Sequence, residues 1–174
     1  MTRTIVTRFF ALAATAALAV LAAEPGLPAQ AQGVLQGAWR TDGGWLTELR
    51  THPDGARVCS TGKAGTTPHG FGFTVVKSGD ETVVMVVDQT QPPAPGTDAL
   101  AFVQGGRTVG TIPAQVTGPA VGSRDANGAE APRLLAGLAP GPVTIAAGDR
   151  RWELDLAGLP AARAALDRCL ERAK

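Results

Sequence analysis

The chain has 174 residues, with 16 lysine and arginine side chains against 15 aspartate and glutamate side chains. So small a net charge lacks the field that gathers nucleic acid or an anionic membrane surface, so we expect neither as a partner. Its 22 glycines and 13 prolines favour a turn-rich β fold over a helical bundle.

The N-terminal region, residues 1–31, has the pattern of an export signal. Arg3 and Arg8 precede an uncharged apolar run at 9–23, which is short for a membrane span of roughly 20 residues. The small-residue pattern at 29–31 suits cleavage, and a second possible cut follows the apolar run directly. The sequence therefore predicts a periplasmic or secreted protein with no retained transmembrane helix. The mature chain would hold 143 residues, enough for one domain.

Cys59 and Cys169 are the two cysteines, and an even number in an exported domain predicts a disulfide. The spacing is not that of a redox-active Cys-x-x-Cys pair. Cys169 also lies near the C-terminal end of a predicted helix, where the helix dipole disfavours a thiolate. His52 and His69 have no paired ligand spacing for a metal. We therefore expect a structural bridge, with no metal and no cofactor.

The predicted elements begin with a flexible lead-in at 32–37, followed by a single β-rich domain over 38–174. Four hairpins are expected where turn residues separate strand-forming runs. They join 45–50 to 57–59, 71–77 to 81–88, 99–103 to 107–112, and 143–147 to 150–156. The run at 81–88 is almost continuously apolar, which predicts a central strand.

Two connections are biased in composition. Residues 89–97 hold three prolines, which cannot donate backbone hydrogen bonds in a central strand. Residues 118–132 are small, polar and rich in glycine, so we expect an exposed and mobile loop. A short helical turn is expected at 133–139.

The clearest helix is expected at 159–173. Pro160 suits its first turn, and apolar residues recur at steps of three and four. Cys169 lies on that apolar face, which directs the helix towards the strand carrying Cys59. The expected fold is therefore mainly β: an antiparallel β-sandwich-like domain with one C-terminal α-helix.

Candidate catalytic groups are few, and no residue is assigned a catalytic role. Ser60 lies near His69 in sequence, but there is no Gly-x-Ser-x-Gly motif, so we expect a strand-end hydroxyl. His52 and His69 adjoin prolines and are expected to be solvated turn histidines. Glu153 and Asp155 alternate with apolar residues and could serve as an acid and a base, although a solvated strand face gives the same pattern.

Trp39 is the candidate for a contact surface, because an exposed tryptophan is costly unless it takes part in binding. Packing in the core is the competing interpretation for this side chain. A partner, where there is one, is expected to be a protein or an envelope component.

Several of these features together resemble a known group of proteins. They are early tryptophans (Trp39 and Trp45), Cys59 on an early strand, a Leu-x-Leu-x-Gly-Leu motif at 154–159, and a final helix with Cys169. In this order they resemble small exported alphaproteobacterial proteins of the invasion-associated locus B type. The resemblance implies a periplasmic or secreted β-sandwich-like domain without established catalysis, linked in some members to host-cell entry or envelope stress.

The function expected from this resemblance is that of a non-catalytic accessory protein of the envelope or of a host contact. Two alternatives belong to other classes. One is a periplasmic enzyme with an unrecognised site near Ser60 and His69, or near Glu153 and Asp155. The other is an inhibitor of an envelope-directed enzyme that presents a rigid loop.

Overall fold

The structure is a computed structural model that describes residues 33–65, 70–91 and 93–174. The expected export signal lies outside these ranges. Ten strands are described: β1 Val34–Thr41, β2 Trp45–Thr51, β3 Arg57–Ala64, β4 Phe71–Ser78, β5 Glu81–Asp88, β6 Ala99–Gln104, β7 Arg107–Thr117, β8 Ala120–Ser123, β9 Pro142–Ala147 and β10 Arg150–Asp155. They form one antiparallel sheet in the order β1-β2-β3-β4-β5-β8-β7-β6-β9-β10.

Two α-helices accompany the sheet in the described part of the chain. Helix α1 spans Glu130–Gly137, beginning three residues before the expected turn at 133–139. Helix α2 spans Leu159–Arg172, so the expected C-terminal helix is confirmed to within one residue. Of the expected apolar face, Leu159, Ala162, Leu166 and Cys169 are buried, as is Ala165, whereas Ala173 follows the helix and is only partly buried. The mainly β fold class is thereby confirmed.

All four expected hairpins are present. They are β2–β3, β4–β5, β6–β7 and β9–β10, and each pairs in antiparallel register. Strand β5 is central, as expected, because it lies between β4 and β8 and most of its residues are buried. The turn residues and the apolar runs therefore predicted most of the local pairing.

Two strands lie where none was expected. Strand β1 begins at Val34, within the stretch 32–37 predicted to be a flexible lead-in, because this backbone pairs with β2. Strand β8 lies within 118–132, the loop predicted to be exposed and mobile. Its four small residues are buried because they pair between β5 and β7. The lead-in and loop expectations were wrong for these segments.

The sheet bends at β7 so that its two halves, β1 to β5 with β8 on one side and β6, β9 and β10 on the other, face each other. The first part of β7 pairs with β6 up to Pro113, and the rest pairs with β8 from Ala114. Phe73 in β4 contacts Phe102 in β6, with ring centroids 6.1 Å apart. Three strands separate β4 from β6 in the sheet order. The contact is therefore made face to face, as in a β-sandwich, although the strands form one continuous sheet.

The facing sides of the bent sheet enclose the main hydrophobic core, and we call these sides the inner face. Both helices contribute most of their buried residues to this core. A second, smaller cluster lies on the opposite or outer face of the central strands, and consists of Val58, Val76, Val83, Met85, Val87, Ala120 and Ala126. Strand β5 is therefore buried on both faces, which explains why its sequence does not alternate.

Two glycines let the backbone at the start of α2 approach closely to the turn between β1 and β2. Gly43 and Gly158 have positive φ angles of 78° and 80°. A Cβ atom on Gly43 would collide with the Ala157 carbonyl oxygen, and one on Gly158 with that of Asp42. The Trp45 indole N–H donates a hydrogen bond of 2.8 Å to the same Ala157 oxygen. These contacts place α2 along β1, β2 and β3.

Candidate functional site

The expected disulfide joins Cys59 in β3 to Cys169 in α2, so this prediction is confirmed. The two cysteines are 110 residues apart in sequence, and their Cα atoms lie 6.0 Å apart. Both are buried, and no free cysteine occurs in the described ranges. The bridge therefore links the C-terminal helix covalently to β3, in the N-terminal part of the sheet.

The described structure does not assemble the candidate catalytic residues into one site. Ser60 is buried on the outer face of β3, and His69 lies outside the described residues. Glu153 and Asp155 are exposed on β10, as a solvated strand face would be. Each is engaged locally: Glu153 accepts a 2.8 Å hydrogen bond from the Thr144 hydroxyl, and Asp155 accepts one from a backbone N–H two residues on.

His52 follows β2 in the turn and is half-buried, which corrects the expectation of a solvated turn histidine. Its ring packs beside Gly33, and its Nδ1 atom has no hydrogen-bond partner among the described residues. Burial lowers the pKa of His52, and Arg50 lowers it further, whereas Asp54 acts in the opposite direction. The imidazole is therefore neutral near pH 7.

Asp88, at the end of β5, is the centre of a buried hydrogen-bond network that the sequence did not predict. Its carboxylate accepts a 2.8 Å bond from the indole N–H of Trp152 on β10. It also accepts bonds from the backbone N–H groups of Thr90 and Gln91 and from the Thr90 hydroxyl. The network links the central strand β5 to the edge strand β10 through one side chain.

These hydrogen bonds make the stability of the protein depend on pH. Burial alone raises the pKa of Asp88, but the bonds from Trp152, Gln91 and Thr90 together outweigh burial and lower it. Because the pKa is lower in the folded state than in the unfolded chain, the ionised group stabilises the fold above about pH 4. That contribution is lost as the pH falls through the folded-state pKa.

We therefore expect Asp88→Asn to lower the free energy of unfolding by about 1 to 2 kcal/mol at pH 7. The deficit should shrink below about pH 4, where the wild-type carboxylate becomes protonated. Urea unfolding from pH 7 to pH 2 measures this difference. Asp80→Asn, in the exposed turn between β4 and β5, is the matched control. A deficit that stays constant at every pH would contradict the role given to the charge.

Trp39, the expected contact residue, is partly buried on the inner side of β1. The Arg172 guanidinium of α2 lies 4.9 Å from its ring centroid, a cation–π contact. The Arg57 side chain donates a 3.2 Å hydrogen bond to the Arg172 carbonyl oxygen. The indole therefore belongs to the packing between β1 and α2, and only part of it faces solvent.

Strand β1 is one of the two edges of the sheet and pairs only with β2 among the described strands. It carries the two exposed large hydrophobic side chains of the described ranges, Val34 and Leu35, which are 66% and 47% exposed. Exposed apolar side chains beside unpaired backbone groups allow another chain to pair with the strand. The geometry of β1 therefore makes it the candidate interaction site.

The opposite edge, β10, differs in chemistry. It exposes Arg151, Glu153 and Asp155, a mixed-charge set, and no large apolar side chain. Charged side chains on an edge strand oppose pairing with other strands. The two edges of the sheet are therefore not equivalent, and β1 is the less protected.

The chain matches no family model, no curated protein and no solved structure. Across residues 33–65, 70–91 and 93–174, no three side chains of His, Cys, Asp or Glu gather as ligands for a metal ion. In the same ranges, no helix combines the length and the apolar character needed to cross a membrane.

The sequence analysis missed two features of strands β1 and β2. Glu48 and Arg50 form a mostly buried ion pair of 3.1 Å on β2. Their spacing of two residues along a predicted strand was the available signal, since it places both on one face. Val34 and Leu35 lie in the stretch 32–37 that was predicted to be a flexible lead-in.

Proposed function

We propose that this chain is an exported, non-catalytic accessory protein of the envelope or of a host contact, which acts by binding a partner protein along β1. The observation that carries the proposal is the unpaired edge of β1 with its exposed Val34 and Leu35. Side chains of this kind are costly to leave in water and gain free energy when a partner covers them.

Export is supported by the disulfide and by the N-terminal sequence. The bridge between Cys59 and Cys169 fits an oxidising, non-cytoplasmic compartment, because cytosolic reductants keep most thiols reduced. The apolar run at 9–23, preceded by two arginines, is typical of an export signal. The accessory role itself derives from the resemblance to the invasion-associated locus B type.

Several charged and aromatic groups of the described domain are engaged within the fold. The carboxylate of Asp88 receives four hydrogen bonds, and Glu48 pairs with Arg50. Trp39 lies beneath Arg172. Of the two edge strands described, β1 is the one that carries exposed large apolar side chains, which suits it to pairing with another chain.

A photo-crosslinking amino acid at position Leu35 tests the proposal in cells that export the full chain. We expect one and the same protein to be crosslinked at Leu35 and at Val34, and identified by mass spectrometry. The same crosslinker at Glu153 on β10, which is equally an exposed edge position, is the matched control. Equal yields of that protein from β1 and β10, or no crosslinked protein at Leu35, would contradict the proposal.

A further inference from the structure

Two arginines lie at the β1 edge without an ion pair. Arg40 is exposed on the strand itself, and Arg172 lies over Trp39 of the same strand. Among the described residues, neither guanidinium group has a carboxylate within ion-pair distance. Both are therefore available to pair with carboxylates of a partner that lies along this edge.

The sequence of β1 itself supplies no negative charge. The strand reads VLQGAWRT and contains no acidic residue; the next acid along the chain is Asp42, and Glu48 on the neighbouring strand is already paired with Arg50. A strand that pairs along this edge therefore meets positive charge at the Arg40 end and no carboxylate within β1.

A second copy of this chain is a poor occupant for the edge. Antiparallel pairing of β1 with β1 from another copy would place each Arg40 opposite the N-terminal part of the other strand, which holds no carboxylate to receive it. Such a pair would leave both arginines without an opposite charge. Charge complementarity instead favours an acidic segment.

We propose that β1 binds an extended acidic segment of a partner protein, which adds as a further strand to the sheet. This inference rests on the proposed function and specifies its partner. The segment forms backbone hydrogen bonds along Gly37–Thr41, beyond the bulge between Leu35 and Gly37. Its apolar side chains cover Val34 and Leu35, and its carboxylates pair with Arg40 on one side and Arg172 on the other.

The probe is a capped eight-residue peptide, matched in length to β1, in which four glutamates are followed by four valines. In antiparallel pairing the glutamates lie opposite the Arg40 end of β1 on both faces, and the valines lie opposite Val34 and Leu35. Its affinity for the mature, disulfide-bonded chain is compared with that of the same peptide carrying lysine in place of glutamate. We expect the glutamate peptide to bind about ten-fold more tightly at low salt, and the difference to shrink as salt is added. Hydrogen exchange of the β1 amides should slow in the complex.

Charge reversal at the edge is the second arm of the experiment. Arg40→Glu should weaken binding of the glutamate peptide about five-fold, and the milder Arg40→Gln about two-fold. Arg151→Glu, a matched reversal at an exposed position of β10, should leave binding unchanged. Arg40 is exposed and makes no ion pair within the described part of the chain, so the melting temperatures of these variants should equal that of the wild type.

Three outcomes would overturn the inference. One is equal binding of the lysine peptide, and another is an equal loss of binding in Arg151→Glu. The third is competition for the edge: phosphatidylglycerol vesicles or duplex DNA displace the glutamate peptide, or the chain forms a dimer that excludes it. If the glutamate peptide does not bind while Leu35 still crosslinks to one protein, the acidic segment is wrong and the proposed function stands. If neither the glutamate peptide binds nor Leu35 crosslinks to one protein, both the acidic segment and the proposed function are wrong.

Discussion

Replacing Cys59 or Cys169 with alanine is expected to lower the free energy of unfolding by up to about 4 to 5 kcal/mol. The bridge closes a loop of 110 residues, and a loop of that size removes much conformational entropy from the unfolded chain. Because small domains are stable by only about 5 to 15 kcal/mol, the loss would leave the fold marginal. Urea unfolding of the mature chain measures it directly.

The controls separate the bridge from the side chains. The double variant Cys59→Ala with Cys169→Ala should match either single variant to within about 1 kcal/mol, because one substitution already abolishes the disulfide. A thiol reductant should bring the wild type to the same stability. Complete labelling of both thiols in the native, unreduced protein would contradict the bridge, as would a wild-type stability that does not respond to reduction.

Phe73→Ala is expected to cost about 3 to 5 kcal/mol, the second large effect. Phe73 is fully buried on the inner face of β4. Its ring makes edge-to-face contacts with Trp45 in β2 at 6.2 Å and with Phe102 in β6 at 6.1 Å. Truncation therefore leaves a cavity between the two facing halves of the sheet and removes two aromatic contacts.

Differential scanning calorimetry measures this loss, which should lower the melting temperature by about 10 to 20 °C. Phe73→Leu should recover more than half of the stability because it refills most of the volume. Val34→Ala removes an exposed apolar side chain and should change stability by less than about 0.5 kcal/mol. A Phe73→Ala protein as stable as Val34→Ala would show that the two halves of the sheet do not pack on each other at Phe73.

The local pairing could be predicted because turn chemistry is encoded in adjacent residues. Gly55, Gly79 and Gly148 all adopt positive φ in turns between paired strands. Each was recognisable because glycine is the residue that reaches this conformation without strain. The helix at Leu159–Arg172 was equally clear, since its apolar face has the helical period.

The strands β1 and β8 could not be predicted for opposite physical reasons. Strand β1 lies at an edge, so few of its side chains are buried and its sequence has no alternation. Strand β8 is buried throughout but consists of small residues that also suit a loop. In both, the backbone pairs with a neighbouring strand, and this tertiary context decides the structure where local propensity does not.

The candidate site lay beyond sequence reasoning because it depends on the order of strands in the sheet. Nothing in the residues of β1 indicates that its outer side pairs with no other strand among residues 33–65, 70–91 and 93–174. Similarly, Trp152 and Asp88 are 64 residues apart, and only the bending of the sheet brings them together. The exception was the disulfide, where two cysteines leave a single possible intramolecular pairing.

The central claim is that the unpaired edge of β1 is where this protein binds its partner. Hydrogen exchange of the mature chain, alone and in complex with the protein captured through Leu35, tests it most directly. The account predicts that exchange slows at the amides of β1 and stays unchanged at those of β10. Slowing confined to β10, or to the central strands β4 and β5 with β1 unaffected, would contradict it.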